Sequence, residues 1–220
     1  VTTNHHWPDR LQAQQGKGVA TSEAGPIMAP SRTKTAIKRL FRALTWPLYA
    51  LYCLMARIGD SDASFAGFSQ FLSLFPGKTG SYLRAAFYYH ACPGTSDDIV
   101  IGFLTLLSHR DTTIESGVYI GPQCNIGKCT IKENTLLGSG VQILSGSNQH
   151  NFDRLDIPIK QQKGLFKKIS VGRDCWIGNG SLVMASVGNH SIIAAGSIVT
   201  KPISEKVIAA GQPAHIIKHR

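Results

Sequence analysis

Between Gly140 and Gly178 runs the stretch "GVQILSGSNQHNFDRLDIPIKQQKGLFKKISVGRDCWIG", with a single histidine, His150, among polar residues. Histidine has an unperturbed pKa close to neutrality, so it suits the removal of a proton from a hydroxyl at working pH. Taken alone, His150 reads first as an exposed loop residue; only its setting makes it a candidate base. Asp153, three residues on, is placed either to orient the imidazole or to cap a turn. Asn148 and Gln149 carry amides that suit acceptor hydroxyls. Lys160, Lys163, Lys167 and Lys168 crowd the exit, where they suit either an anionic ligand or a solvated loop face. The other histidines have poorer settings. His5 and His6 lie in a loose N-terminus, His90 ends a helix, and His109 sits in a turn. His190 occupies a tight corner, and His215 and His219 fall in the tail.

The setting is a six-residue beat that stops on entering this stretch and resumes after it. Ile114, Ile120 and Ile126 are followed, after one five-residue step, by Ile131, Leu137 and Ile143. Beyond the interruption come Val171, Ile177 and Val183, and a four-residue step leads to Val187, Ile193 and Val199. A fixed period of this kind marks a repeat architecture. Each six residues make a short strand and a corner, three sides close one coil, and the aliphatics stack into an apolar column. Glycine often follows the aliphatic (Gly121, Gly127, Gly138, Gly172, Gly178, Gly188), which predicts corner dihedrals that a β-carbon would strain. Four residues after the aliphatic stands a small or β-branched residue: Val118, Cys124, Thr130, Thr135, Val141, Cys175, Ser181, Ser191 or Ser197. A β-sandwich would show strict alternation along each strand with turn signals at regular spacing, and that pattern is absent.

The run "VGRDCWIGNGSLVMASVGNHSIIAAGSIVTKPISEKVIAAGQPAHIIKHR" resembles the C-terminal half of the hexapeptide-repeat acyltransferases, which have a left-handed parallel β-helix. It is most similar to the sugar O-acetyltransferase branch that includes the galactoside and maltose acetyltransferases. The resemblance covers about residues 101–218 and is specific in "WIG…AAGSIVTK…AAGQPA". It implies a homotrimer, acetyl-CoA as donor, and active sites between subunits. It also implies that His150, in a loop thrown out upstream of "WIG", is the general base. By the family motif, Asn179 and Ala195 meet the pantetheine arm. Thr200, Lys201 and Lys218 meet the nucleotide end, where lysine complements phosphate. His215 stands where the family often has arginine. Trp176 packs at the loop or walls the cofactor cleft. The family's sugar-gripping residues are not recognisable in "IGFLTLLSHRDTTIESGVYIGP", so the acceptor differs from a simple galactoside or maltose.

The front of the chain divides at about residue 35. Residues 1–34 read as a disordered polar lead in which Met28 is a candidate true start in place of Val1. Residues 35–92 read as a helical segment with a Pro-Gly break, its core built from Phe68, Phe71, Leu72, Phe75, Leu83 and Phe87. Residues 38–57 are basic, then apolar, and too short in their apolar run to span a bilayer comfortably. Three readings remain for them: a helix packed on the main domain, an interfacial helix, or a signal-peptide core. A cytoplasmic cofactor favours packing or membrane-surface contact over export. The repeat domain is set at 93–200, with the loop at 145–170 and a tail at 201–220.

A formal charge of +10 favours an anionic partner. Nucleic acid is set aside because no stacking platform or binding signature accompanies the cations. "CNIGKC" is not a zinc spacing, so no metal is expected, and the five cysteines read as reduced thiols in the cytoplasm. Two other functions compete. A γ-type carbonic anhydrase would need three zinc-binding histidines, which His109, His150 and His190 do not supply by spacing. A non-catalytic scaffold would have no use for His150 or "VTK". The expected fold is therefore mainly β, a left-handed parallel β-helix behind a short helical segment. The expected activity is acetyl-CoA-dependent acetylation of a hydroxyl on a sugar or polysaccharide precursor; an amine or antibiotic hydroxyl is the related variant.

Overall fold

All twelve aliphatics of the six-residue grid point inward, between 0% and 3% exposed. A computed structural model describes residues 32–220 of the chain, and the grid forms its central column. The expected lead, with Met28, His5 and His6, lies outside the described residues, except that residues 32–34 already belong to the first helix.

The coils begin with β1 (Val100–Ile101), β2 (Leu106–Leu107), β3 (Thr113–Ile114), β4 (Tyr119–Ile120) and β5 (Asn125–Ile126). They continue with β6 (Cys129–Ile131), β7 (Leu136–Leu137), β8 (Gln142–Ile143), β9 (Ile169–Val171) and β10 (Trp176–Ile177). The last are β11 (Leu182–Val183), β12 (Ile192–Ile193), β13 (Ile198–Val199), β14 (Val207–Gly211) and β15 (Ala214–His219). Three walls result: β1-β4-β7-β10-β12-β14-β15, β13-β11-β8-β5-β2, and β3-β6-β9. Every pairing along the walls is parallel except β14 with β15. This is the left-handed β-helix that the repeat predicts. Each buried Ile, Leu or Val contributes about 1.5–3 kcal/mol, so the column is the main stabilising element.

The corners correct two expectations. The glycine after each aliphatic does not have a positive φ. Left-handed backbone falls three residues after the aliphatic, at Gly117, Gly140, Gly180 and Gly196 but also at Gln123, Asn134, Asp174 and His190. Gly178 is required instead by close stacking of coils, since a Cβ there would lie 2.4 Å from the Ala195 nitrogen. The second correction follows from the five-residue step: Cys129 takes the inner corner position and Thr130 is half-buried.

The small polar residues of the inner corners do more than save space. Thr105 donates to the Gly121 carbonyl (2.7 Å), Thr135 to Gly172 (2.6 Å) and Ser191 to Ser204 (2.8 Å). Each hydroxyl bridges its coil to the next, and for Thr105 and Thr135 the carbonyl it satisfies is buried. Cys124 and Cys175 place their thiols at the same kind of site, 3.2 Å from the Gly138 oxygen and 3.1 Å from that of Gly188.

Three helices close the first coil: α1 (Arg32–Ile58), α2 (Ser61–Ser73) and α3 (Gly77–Ala91). Asp60 starts α2 by accepting from the Asp62 and Ala63 N–H groups, at 2.8 and 3.0 Å. Arg84 of α3 is buried, and its guanidinium donates to the carbonyls of Leu72 (3.0 Å), Phe75 (2.8 Å) and Ile101 (2.9 Å). One side chain thus caps the end of α2 and joins it to β1. Of the expected helical core, Phe87 and Leu72 are buried and Phe68 and Leu83 pack against them. Phe71 and Phe75 are instead exposed, their rings packed edge to face on each other at 5.3 Å and not in the helical core. The expected tail is also ordered. Ile203 and Ala209 carry the inward column one coil further, and β15 folds back on β14.

Candidate active site

The interruption is an insertion between coils that otherwise stay in register. On the three-stranded wall Thr113 pairs with Thr130, which sets the length of an ordinary coil, and Thr130 then pairs with Ser170. The turn from 130 to 170 is more than twice as long as the one before it, yet it closes on the same wall in the same register. The extra chain leaves after β8 and returns at β9, at the corner between the five-stranded and three-stranded walls.

The loop folds back on itself. Lys167 N–H donates to the Ser145 carbonyl (2.8 Å), Leu165 to Asn148 (2.7 Å) and Asn151 to Lys163 (3.3 Å). The Gln162 amide clasps the far end, donating to the Arg154 carbonyl (2.7 Å) and accepting from the Arg154 N–H (3.2 Å). At the exit, Lys168 donates to Asp111 Oδ1 (2.8 Å) and Thr113 Oγ1 (3.1 Å). Its hydrogen bond and charge hold the Asp111 carboxyl below the ordinary carboxylate range. Lys168 therefore anchors the loop across β6 to the coil of β3, which neither of the two expected lysine roles describes.

His150 is exposed on this loop. The Phe166 ring stands at 77° to the imidazole with centroids 6.5 Å apart, and His109 also meets Phe166, with centroids at 5.4 Å. His109 Nδ1 is 2.9 Å from Ser108 Oγ. The Asp153 carboxylate makes no hydrogen bond among the described residues, to His150 or to a turn N–H. Asn148 lines a cavity of about 240 Å³ with Leu165, Lys167, Met184, Thr200 and Pro202. The insertion thus brings Asn148 to the same cavity as Thr200, which lies several coil sides further along the chain.

The other expected contacts fall elsewhere. Asn179 and Ala195 stack on successive coils at the corner between the seven-stranded and five-stranded walls; the Gly196 N–H donates to the Asn179 carbonyl (2.8 Å). Asn179 Oδ1 also accepts from the Ser139 N–H (3.1 Å). The five-stranded wall separates this pair from Thr200 and Lys201. Lys218 lies on β15, opposite Ile208. Within one chain, then, the expected site residues form three groups and not a single cleft. The grouping of His109, Phe166 and His150 is not among the sequence expectations; Leu107 stands seven residues before Ile114, so the six-residue period breaks before it reaches the corner that holds His109. The Asp111–Lys168 pair leaves no sequence signal, because its partners are 57 residues apart.

No family model matches the chain. The galactoside O-acetyltransferase of Escherichia coli (strain K12) is 34% identical over 92 residues, 40% of this chain and 43% of that protein. A maltose O-acetyltransferase from Clostridium difficile 630 superposes with a TM-score of 0.63 at 18% identity, covering 73% of this chain and 89% of that one. The chain has the fold of the hexapeptide-repeat acetyltransferases and is similar in sequence to acetyltransferases over part of its length. A hexapeptide-repeat acetyltransferase of Vibrio cholerae O1 biovar eltor, solved with acetyl-coenzyme A, superposes with a TM-score of 0.59 at 19% identity over 73% of this chain and 87% of that one. The chain spans between 26% and 43% of the length of the first curated relatives it matches.

Proposed function

We propose that this chain is an acetyl-CoA-dependent O-acetyltransferase with His150 as its general base, acting on a hydroxyl of a sugar or polysaccharide precursor. The observation that carries the reading is the insertion between β8 and β9, which holds His150 outside the coils and walls a cavity with Asn148 and Thr200. In the reaction, an imidazole nitrogen of His150 takes the acceptor hydroxyl proton as the oxygen attacks the thioester carbonyl. The C–S bond then breaks, and the same proton passes to the departing CoA sulfur. Asn179 and Ala195 would border the pantetheine arm, and Thr200, Lys201 and Lys218 the phosphates. Asn148 and Asp153 remain available to acceptor hydroxyls. The relatives' names and the acetyl-coenzyme A in the Vibrio structure support the donor and the chemistry.

The separation of the residue groups in one chain supports a homotrimer in which neighbouring subunits complete each site. An outward row on the seven-stranded wall supports it too: Val100, Tyr119, Leu136 and Trp176, one per coil, are between 40% and 55% exposed. The same reading includes a cytoplasmic enzyme, peripheral to a membrane through α1.

The test is thiol release from acetyl-CoA with a panel of sugar acceptors, comparing wild type with His150→Ala. Expected is a loss of about 10²–10⁴-fold in turnover with CoA binding retained. If wild type neither transfers to any acceptor nor binds CoA, the chain is a scaffold.

A further inference from the structure

Helix α1 packs on the rest of the protein along one side only. Thr45 and Tyr52 are buried there, with Leu48, Tyr49 and Ala56 packed beside them. On a second, outward face Leu40, Leu44, Leu51, Leu54, Met55 and Ile58 recur at helical spacing, which aligns them in one stripe. They are between 46% and 83% exposed, and no described residue covers them. The stripe continues through Met55 into a hollow walled by Gly67, Phe68 and Phe71 of α2, beyond which Leu74 and Phe75 are exposed.

Cations edge the stripe on the side away from the packed face. The interval from Arg39 to Arg57 is about five whole helical turns, so the two lie on the same side of α1. Arg32 lies about two turns before Arg39, and all three are exposed. Trp46 is 59% exposed on that same flank. The helix contains no acidic residue. Among the described residues no helix is long and apolar enough to cross a membrane.

We propose that α1 lies in the plane of an anionic lipid surface. The stripe and the α2 phenylalanines sink into the acyl boundary while Arg32, Arg39 and Arg57 meet the headgroups. An apolar arc edged by arginines and a tryptophan, with no carboxylate along its length, suits a bilayer, where apolar burial and headgroup attraction act together. At 27 residues the helix is about 40 Å long, so the contact is a line and not a point. This contact rests on the peripheral placement in the functional reading and gives it a surface and a lipid charge, but its test does not involve acetyl transfer.

The experiment is co-sedimentation of the full chain with phosphatidylcholine vesicles, pure or carrying phosphatidylserine as about a third of the lipid, at low and high salt. Expected is binding to the anionic vesicles that weakens with salt. Arg39→Glu should weaken binding about fivefold or more, from the worth of one arginine near an anionic surface. Leu44→Glu with Leu51→Glu should lose at least about tenfold, while the thermal melt and the assembly mass stay as in wild type, because both side chains are exposed. Absence of binding to anionic vesicles overturns the proposal. So does a change of assembly mass in the double variant, which would make a second copy the occupant of the stripe.

Discussion

Gly164 runs so close to Gln149 that a Cβ on the glycine would lie 1.8 Å from the Gln149 carbonyl oxygen and 2.7 Å from the His150 backbone nitrogen. The return strand of the loop is therefore pressed against the segment carrying the candidate base, and only a hydrogen fits between them. Gly164→Ala must move backbone at residues 149–150. The coils do not depend on this contact, so the thermal melt should stay within a few degrees of wild type. A displacement of about 1 Å at a catalytic group costs on the order of a hundredfold in rate. Acetyl transfer by Gly164→Ala should fall by that order while CoA still binds; a variant with full turnover would remove Gly164 from the positioning of His150.

The six-residue period makes the column legible, because a solenoid repeats the same burial at the same place and leaves its mark on every coil. The insertion is legible for the same reason, as the one place where Ile143 has no successor until Val171. Contacts made once are not. Phe166 reaches His109 and Lys168 reaches Asp111 across tens of residues without repeating, so no period announces them. Phe71 and Phe75 read as core because an aromatic on a helix looks the same in sequence whether its face is covered or bare. Lys218 reads as tail because β15 pairs antiparallel, after the repeat has ended.

The front helices are tied to the first coil by charge, and that tie should depend on pH. Lys38 and Lys34 both reach Asp98, and Lys38 chiefly holds its carboxyl below the ordinary range. A carboxyl with a depressed native pKa stabilises the fold above its unfolded pKa of about 3.9 and loses that contribution as pH falls through the native value. Asp98→Asn should thus be less stable than wild type at pH 7, by about 1 kcal/mol or less since Asp98 is partly exposed. The difference should shrink below about pH 4. Urea midpoints of both proteins at pH 7, 4 and 3 measure it, and a constant difference would mean that the charge of Asp98 is not what binds α1.

The thiols should divide by burial. Cys92, Cys124, Cys129 and Cys175 are buried, whereas Cys53 is partly exposed. Desolvation pushes the Cys129 thiol up to about 12 and raises the other three buried thiols. The thiolate is the reactive form, so a charged disulfide reagent at pH 8 should label Cys53 alone in the native chain and all five cysteines in guanidinium. Rapid native labelling of Cys129, located by peptide mass, would show that the column opens on that timescale.

Gly178 and Gly180 stand two residues apart at one corner, and each is glycine for a different reason. A Cβ on Gly178 would meet the Ala195 backbone at 2.4 Å, so Gly178→Ala forces two coils apart along the column. A Cβ on Gly180 would have no heavy atom within 4 Å, and only the φ of +65° resists a side chain. That resistance costs roughly 1–2 kcal/mol for most residues and less for asparagine. Equivalent corners already hold Asn134, Asp174 and His190 at φ between 49° and 59°. Gly180→Asn should therefore lie within about 1 kcal/mol of wild type by urea denaturation, and Gly180→Ala within about 2 kcal/mol. Gly178→Ala should lose several kcal/mol, of the order seen for overpacking a tight core. Equal losses for Gly178→Ala and Gly180→Ala would mean that backbone strain, and not the approach of the Ala195 coil, governs both positions.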